Sequence, residues 1–193
     1  MTIAPILAVH LGTGGLRAYE HGIVEVGAYL LRPDSGVFEE FSAICEIEDD
    51  LSYSEVALRM CGVSRSILEK EGEPISQVLH RLGGFIAKHG DGHAPWAFGG
   101  EFVNDFLFQS CKRHGIDRRF MRPACALELY RCMGALGHHN SPWAQTHEVC
   151  LWAGVENGVS PLGKARACAL SVVKMLELLR TPASNPFSMR RER

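Results

Sequence analysis

Residues able to do chemistry are thinly spread along this chain. His138-His139, followed by His147-Glu148, is the densest histidine cluster. Its spacing is not the H-E-x-x-H pattern that sets two histidines on one helical face around zinc. Paired histidines in a loop read as polar surface. The cysteines (Cys45, Cys61, Cys111, Cys125, Cys132, Cys150 and Cys168) include no C-x-x-C pair. Neither a disulfide framework nor a zinc knuckle is indicated, and most read as small buried hydrophobes. The Gly12-x-Gly14-Gly15 cluster has glycines suited to a phosphate loop, but it lacks the lysine and the spacing. It reads as a turn. His10 closes an apolar run and reads as a core or cleft histidine. Lys164 and Arg166 fall in the first turn of an amphipathic segment, where cations can contact phosphate or simply face water.

These side chains are carried by an ordinary globular composition. The 193 residues are 46% hydrophobic and 22% charged, with a formal net charge of −2. That suits one α/β domain, read over residues 1–180, with a basic and disordered tail over 181–193. No global basic field advertises nucleic acid, so such binding requires a local patch. The start lacks the charged region and cleavage site of a signal peptide, and no apolar run approaches the roughly 18 residues of a membrane span. A cytoplasmic protein with no membrane partner is expected.

Ala4–Leu11, Ile23–Leu31 and Val37–Ile47 read as strands of an antiparallel meander, with a turn at Pro33-Asp34-Ser35-Gly36. Helices are predicted over Ser54–Cys61, Ile75–His89 and Glu101–His114. Ala94–Phe98 reads as a short strand. Met121–Leu127 reads as a fifth strand, with a helix following through Met133. His138–Pro142 reads as a loop. Thr146–Gly154 reads as a helix capped by Thr146, and Lys164–Arg180 as the final helix. Its stripe of Ala165, Cys168, Ala169, Val172, Val173, Leu176 and Leu179 is the broadest apolar face in the chain. The order of elements predicts a mixed sheet with helices on both faces.

Three stretches carry a family resemblance. Ile6-Leu7-Ala8-Val9-His10-Leu11-Gly12-Thr13-Gly14-Gly15-Leu16 resembles the strand and Asp-x-Glu-Thr-(Thr/Ser)-Gly-Leu motif that opens 3′→5′ exonucleases of the DEDDh family. Phe98-Gly99-Gly100-Glu101-Phe102-Val103-Asn104-Asp105-Phe106-Leu107 resembles the second motif, His-Asn-x-x-Phe-Asp-x-x-Phe-Leu. Gly163-Lys164-Ala165-Arg166-Ala167-Cys168 resembles the third, His-x-Ala-x-x-Asp. Ile23-Val24-Glu25-Val26-Gly27-Ala28 is similar to the family's second strand. The resemblance covers about Pro5 to Leu179 and implies a ribonuclease H-like fold.

It also implies a site without its chemistry. Family members hydrolyse phosphodiesters with two metal ions held by carboxylates, and a histidine deprotonates the attacking water. The motif-equivalent positions are His10, Gly12, Val103, Gly163 and Cys168. None is a carboxylate, and none supplies the water-activating histidine in place. Glu101 and Asp105 flank Val103 and are weak rescue candidates for a metal. Two residues along a helix turn a side chain by about 200°, so Asp105 is expected to point away. Thr13 and Leu16 match family positions that contact the terminal nucleotide, Phe102 matches the Phe of the second motif and is a further nucleic-acid-binding candidate, and Lys164 and Arg166 lie close by.

The leading expectation is a non-catalytic member that binds a single-stranded nucleic-acid 3′ end or a protein partner and needs no cofactor. One alternative is an active exonuclease that uses Mg²⁺ or Mn²⁺ through relocated ligands among Glu101, Asp105, His10 and Cys168. Another is an interaction subunit or homodimer with a collapsed cleft.

Overall fold

A computed structural model describes residues 3–89, 92–117, 122–139, 141 and 144–180. The predicted tail over 181–193 lies outside the described residues, as does Met121. Three strands open the chain: β1 (Ile6–Thr13), β2 (Ile23–Arg32) and β3 (Val37–Ile44). β1 pairs antiparallel with β2, and β2 with β3, which is the expected meander. Two short strands, β4 (Trp96–Ala97) and β5 (Ala124–Cys125), add in parallel beyond β1. The five-stranded mixed sheet has the order β3-β2-β1-β4-β5.

Alternation along β1 explains why it is central. Leu7, Val9 and Leu11 point to one face and Ile6 and Ala8 to the other. Both faces are covered, so the strand reads as a near-continuous apolar run. On the first face pack α3 (Ile75–His89) and α4 (Gly100–Arg113), through Val78, Leu79, Leu82, Val103, Phe106 and Leu107. On the second pack α5 (Ala126–Ala135), α6 (Thr146–Ala153) and α7 (Pro161–Arg180). Two short helices, α1 (Glu55–Cys61) and α2 (Arg65–Glu71), follow β3.

The last helix is the one that positions the site. Proline fits its first position, where the missing N–H would have no helical partner anyway. The helix therefore starts three residues before the predicted Lys164. Ala165, Cys168, Ala169, Val172 and Met175 are buried against the sheet. Burying Val172 and Met175 in full is worth about 2 kcal/mol each. The small residues of the first two turns let the backbone come close. On β2, a side chain at Gly27 would meet the Leu162 nitrogen at 2.2 Å, so only glycine permits this contact. Gly27 pairs directly with His10, so the start of α7 is pressed over the end of β1.

Several elements differ from the sequence reading. Helix α2 was not predicted; seven residues show little periodicity, but the Ser64 hydroxyl caps it by accepting from Ile67 N–H at 3.3 Å. The cap of α6 is Gln145 rather than Thr146. The Glu148 carboxylate reaches back to accept from the Gln145 N–H at 3.2 Å, which satisfies a donor the helix leaves free. β4 and β5 are shorter than predicted, and β3 ends at Ile44. His139 is no loose surface residue. Its ring stacks on Tyr130 at 3.8 Å, and its Nε2 lies 2.8 Å from the Tyr130 carbonyl oxygen. Among the described residues no helix is long and apolar enough to cross a membrane.

Candidate nucleic-acid cleft

A cavity of about 770 Å³ opens beyond the C-terminal end of β1. In α/β sheets the ends of strands leave such crevices because helices diverge there from the sheet edge. Five of the residues singled out in the sequence line it: His10, Thr13, Leu16, Phe102 and Lys164. They come from the strand end, the loop after it, the first turn of α4 and the first turn of α7. Val56, Met60 and Cys61 of α1 complete one wall.

Local sequence fixes each wall. The Thr13 hydroxyl donates to the Gly15 carbonyl at 2.7 Å, which folds the loop back on itself. Gly14 N–H donates to Gly22 O, and Ser54 N–H donates to Gly14 O, both at 2.8 Å, so the loop is tied to the start of α1. The turn into α4 is made by Gly99 at φ 106°, a conformation that L side chains rarely adopt. It delivers Phe102 to the cleft, where its ring rests on Phe106 at 4.8 Å between centroids. Leu16 and Met60 are 84% and 73% exposed, so the rim presents apolar surface to water.

The other named positions are elsewhere. Val103 is buried in the α3–α4 core. Cys168 is buried in the α5–α7 core beside Cys150 and Cys125, and burial pushes its thiol far above the usual range. Gly12 keeps its place on β1, but a side chain there would meet Cys61 Sγ at 3.1 Å and Glu25 Cβ at 3.3 Å. Cys61 thus occupies the room a side chain at position 12 would need. Gly163 sits in the first turn of α7 against Gly158. Glu101 is exposed and paired with Arg122. Asp105 is exposed and accepts from Asn104 Nδ2 at 3.2 Å. Neither acid lines the cleft, in keeping with the expected rotation of Asp105. Arg166 lines a different cavity, with Glu156 and Gly158.

Electrostatics centre on Lys164. His10 is held far below its ordinary range, at about 3, first by burial and then by the Lys164 ammonium. Its Nδ1 is buried with no hydrogen-bond partner. Glu25 faces the same side of the sheet, opposite Gly12, and is 8% exposed. Burial pushes its carboxyl up to about 7, against the pull of Lys164. Cys61 is raised by burial and drawn down by Lys164 and by its contact with Thr13 O. The sequence reading passed over Glu25 and Cys61. A carboxylate inside an apolar strand was the available signal for the first; nothing local marked the second. Among the described residues no three His, Cys, Asp or Glu side chains come together to hold a metal ion.

No family model matches the chain, and no curated protein matches its sequence. Solved structures do match. The nuclease domain of 3′hExo, a DEDDh family member bound to rAMP, superposes with a TM-score of 0.73 over 90% of this chain and 92% of its own, at 15% identity. The chain has a ribonuclease H-like exonuclease fold. Cell-death related nuclease 4 shares it with a TM-score of 0.75 at 8% identity, over 91% of this chain and 64% of that one. E. coli exonuclease I in complex with a dT13 oligonucleotide gives 0.72 at 12% identity, over 91% of this chain and 41% of that enzyme. This chain therefore spans about two fifths of exonuclease I. At such identities the likeness establishes the exonuclease fold and leaves activity to the residues of the cleft.

Proposed function

We propose that this exonuclease-fold domain binds the 3′ end of single-stranded nucleic acid in the cleft beyond β1 and does not cleave it. The observation that carries this reading is the cleft itself. It stays open and is lined by Thr13, Leu16, Phe102 and Lys164, while among the described residues no group of carboxylates converges on it. Leu16 and Phe102 offer apolar faces for a base and sugar, and Lys164 offers a cation for phosphate. That 3′hExo binds rAMP and exonuclease I binds an oligonucleotide on the same fold supports the ligand class.

The metal ions of the family do not fit these residues. Mg²⁺ and Mn²⁺ prefer oxygen ligands. On the motif correspondence, the five catalytic positions are His10, Gly12, Val103, Gly163 and Cys168, and none offers a carboxylate. Glu20 lines the cleft but is paired with Arg17, and Glu25, on β2 opposite Gly12, holds its proton up to about pH 7. Glu101 and Asp105 turn elsewhere. Against the relocated-ligand reading, Glu101, Asp105 and Cys168 do not line the cleft and only His10 does; against the collapsed-cleft reading stands a cavity of about 770 Å³.

The test is a joint assay of binding and cleavage on labelled single-stranded DNA and RNA with Mg²⁺ or Mn²⁺. Salt-sensitive binding without shortening of the strand is expected. Cleavage that disappears when a cleft residue is mutated would overturn the reading.

A further inference from the structure

We propose that the Lys164 ammonium takes the place of the missing metal ions, so that the cleft holds a nucleotide phosphate without any divalent cation. This rests on the nucleic-acid reading above and adds what grips the ligand.

Lys164 is placed for this by backbone geometry. The contact of Gly27 with the start of α7 brings the first helical turn onto the end of β1. Lys164 lines the main cleft and also a neighbouring cavity of about 450 Å³ with Gln145, Thr146 and Asn157. It is partly buried, and no carboxylate of the described residues lies within ion-pair distance of it. Its charge nonetheless reaches His10, Glu25 and Cys61, which come from β1, β2 and α1. One cation therefore acts on groups from three elements and is ion-paired with none of them.

His10 gives independent support. Its Nδ1 is sealed from water with no partner, which is costly for a polar atom. His10 lines the same cleft, so this unpartnered atom belongs to a residue of the cleft wall. The charged groups around Lys164 are few: Glu25 on β2, and Arg17 paired with Glu20 at 3.0 Å on the loop after β1. The balance favours an anion. A divalent metal brought there would be repelled by the ammonium and find no carboxylate cage.

The experiment measures binding of a 5′-labelled single-stranded oligonucleotide to the full chain in excess chelator. The wild type, Lys164→Met and Lys164→Arg are compared, with circular dichroism to confirm folding. Full binding in chelator is expected, with a loss of about tenfold in Lys164→Met and near-complete rescue by Lys164→Arg. The slope of log affinity against log salt should fall by about 1 in Lys164→Met. Adenosine monophosphate and inorganic phosphate are added as competitors. Displacement by the mononucleotide supports a single-nucleotide pocket, and displacement only by unlabelled oligonucleotide supports a site that needs the strand. Binding that requires Mg²⁺, or that Lys164→Met leaves unchanged, overturns the role of Lys164 while nucleic-acid binding stands. Absence of binding in every condition overturns both.

Discussion

The floor and the mouth of the cleft differ in what their side chains do. The floor consists of motif positions outside the cleft lining: Val103 and Cys168 are core residues, and Gly12 is closed over by Cys61. At the mouth, Leu16, Met60 and Phe102 remain directed at open space, with Lys164 between the two zones. Floor positions now contribute to stability, whereas mouth positions are available to a ligand. The same frame of strand end, loop and helix start thus supports two kinds of residue. Mutations should separate them cleanly.

The largest effect is expected from placing an acid in the floor. Val103 is 1% exposed in an apolar core, and Val103→Asp buries a carboxylate with no partner there. A loss of about 4 kcal/mol or outright unfolding is predicted by denaturant titration. Tolerance of this substitution would break the division between floor and mouth.

Next comes Glu25. Its carboxyl is raised from 4.5 to about 7 by burial, so the folded state keeps a proton that the unfolded state releases. The stability tied to the neutral form is present below pH 4.5 and is lost as pH rises through about 7. Glu25→Gln should therefore stabilise the protein at alkaline pH by an amount on the order of 2 to 3 kcal/mol. The gain should vanish toward pH 4.5, as read from melting temperature across that window. The opposite trend would mean that Lys164 outweighs burial at this site.

A smaller effect is expected at Gly12. A methyl group there is squeezed against Cys61 Sγ, so Gly12→Ala should cost about 1 kcal/mol. Cys61→Ala in the same chain should recover most of it, and a double-mutant cycle measures that coupling. Additive losses would show that Cys61 does not fill the position. Smallest of all is the stability effect of Leu16→Ala, within about 0.5 kcal/mol for so exposed a side chain. The same change should weaken oligonucleotide binding severalfold, because it removes apolar contact with a base or sugar at the rim.

The sheet and its main helices were legible because their periodicities are strong. β1 and β2 are largely apolar runs, and α3 and α7 carry apolar stripes that match their observed extents to within a few residues. Helix α2 was not legible: it buries only Leu68 and so leaves no stripe to read. The cleft was half legible. Thr13, Leu16, Phe102 and Lys164 follow from motif frames, which are local in sequence. The grouping of Glu25, Cys61 and Lys164 depends on β2, α1 and α7 meeting in space, and no local pattern encodes that meeting. His139 was misread for a similar reason, since its partners Tyr130 and Trp152 lie on two separate helices.

The measurement that tests the account most directly is a crystal structure of the protein with a short single-stranded oligonucleotide, grown with Mg²⁺ present. The account predicts an intact strand with its terminal nucleotide between Leu16 and Phe102, and a phosphate oxygen about 3 Å from Lys164 Nζ. A cleaved strand, with Mg²⁺ held by carboxylates in the cleft, would contradict it.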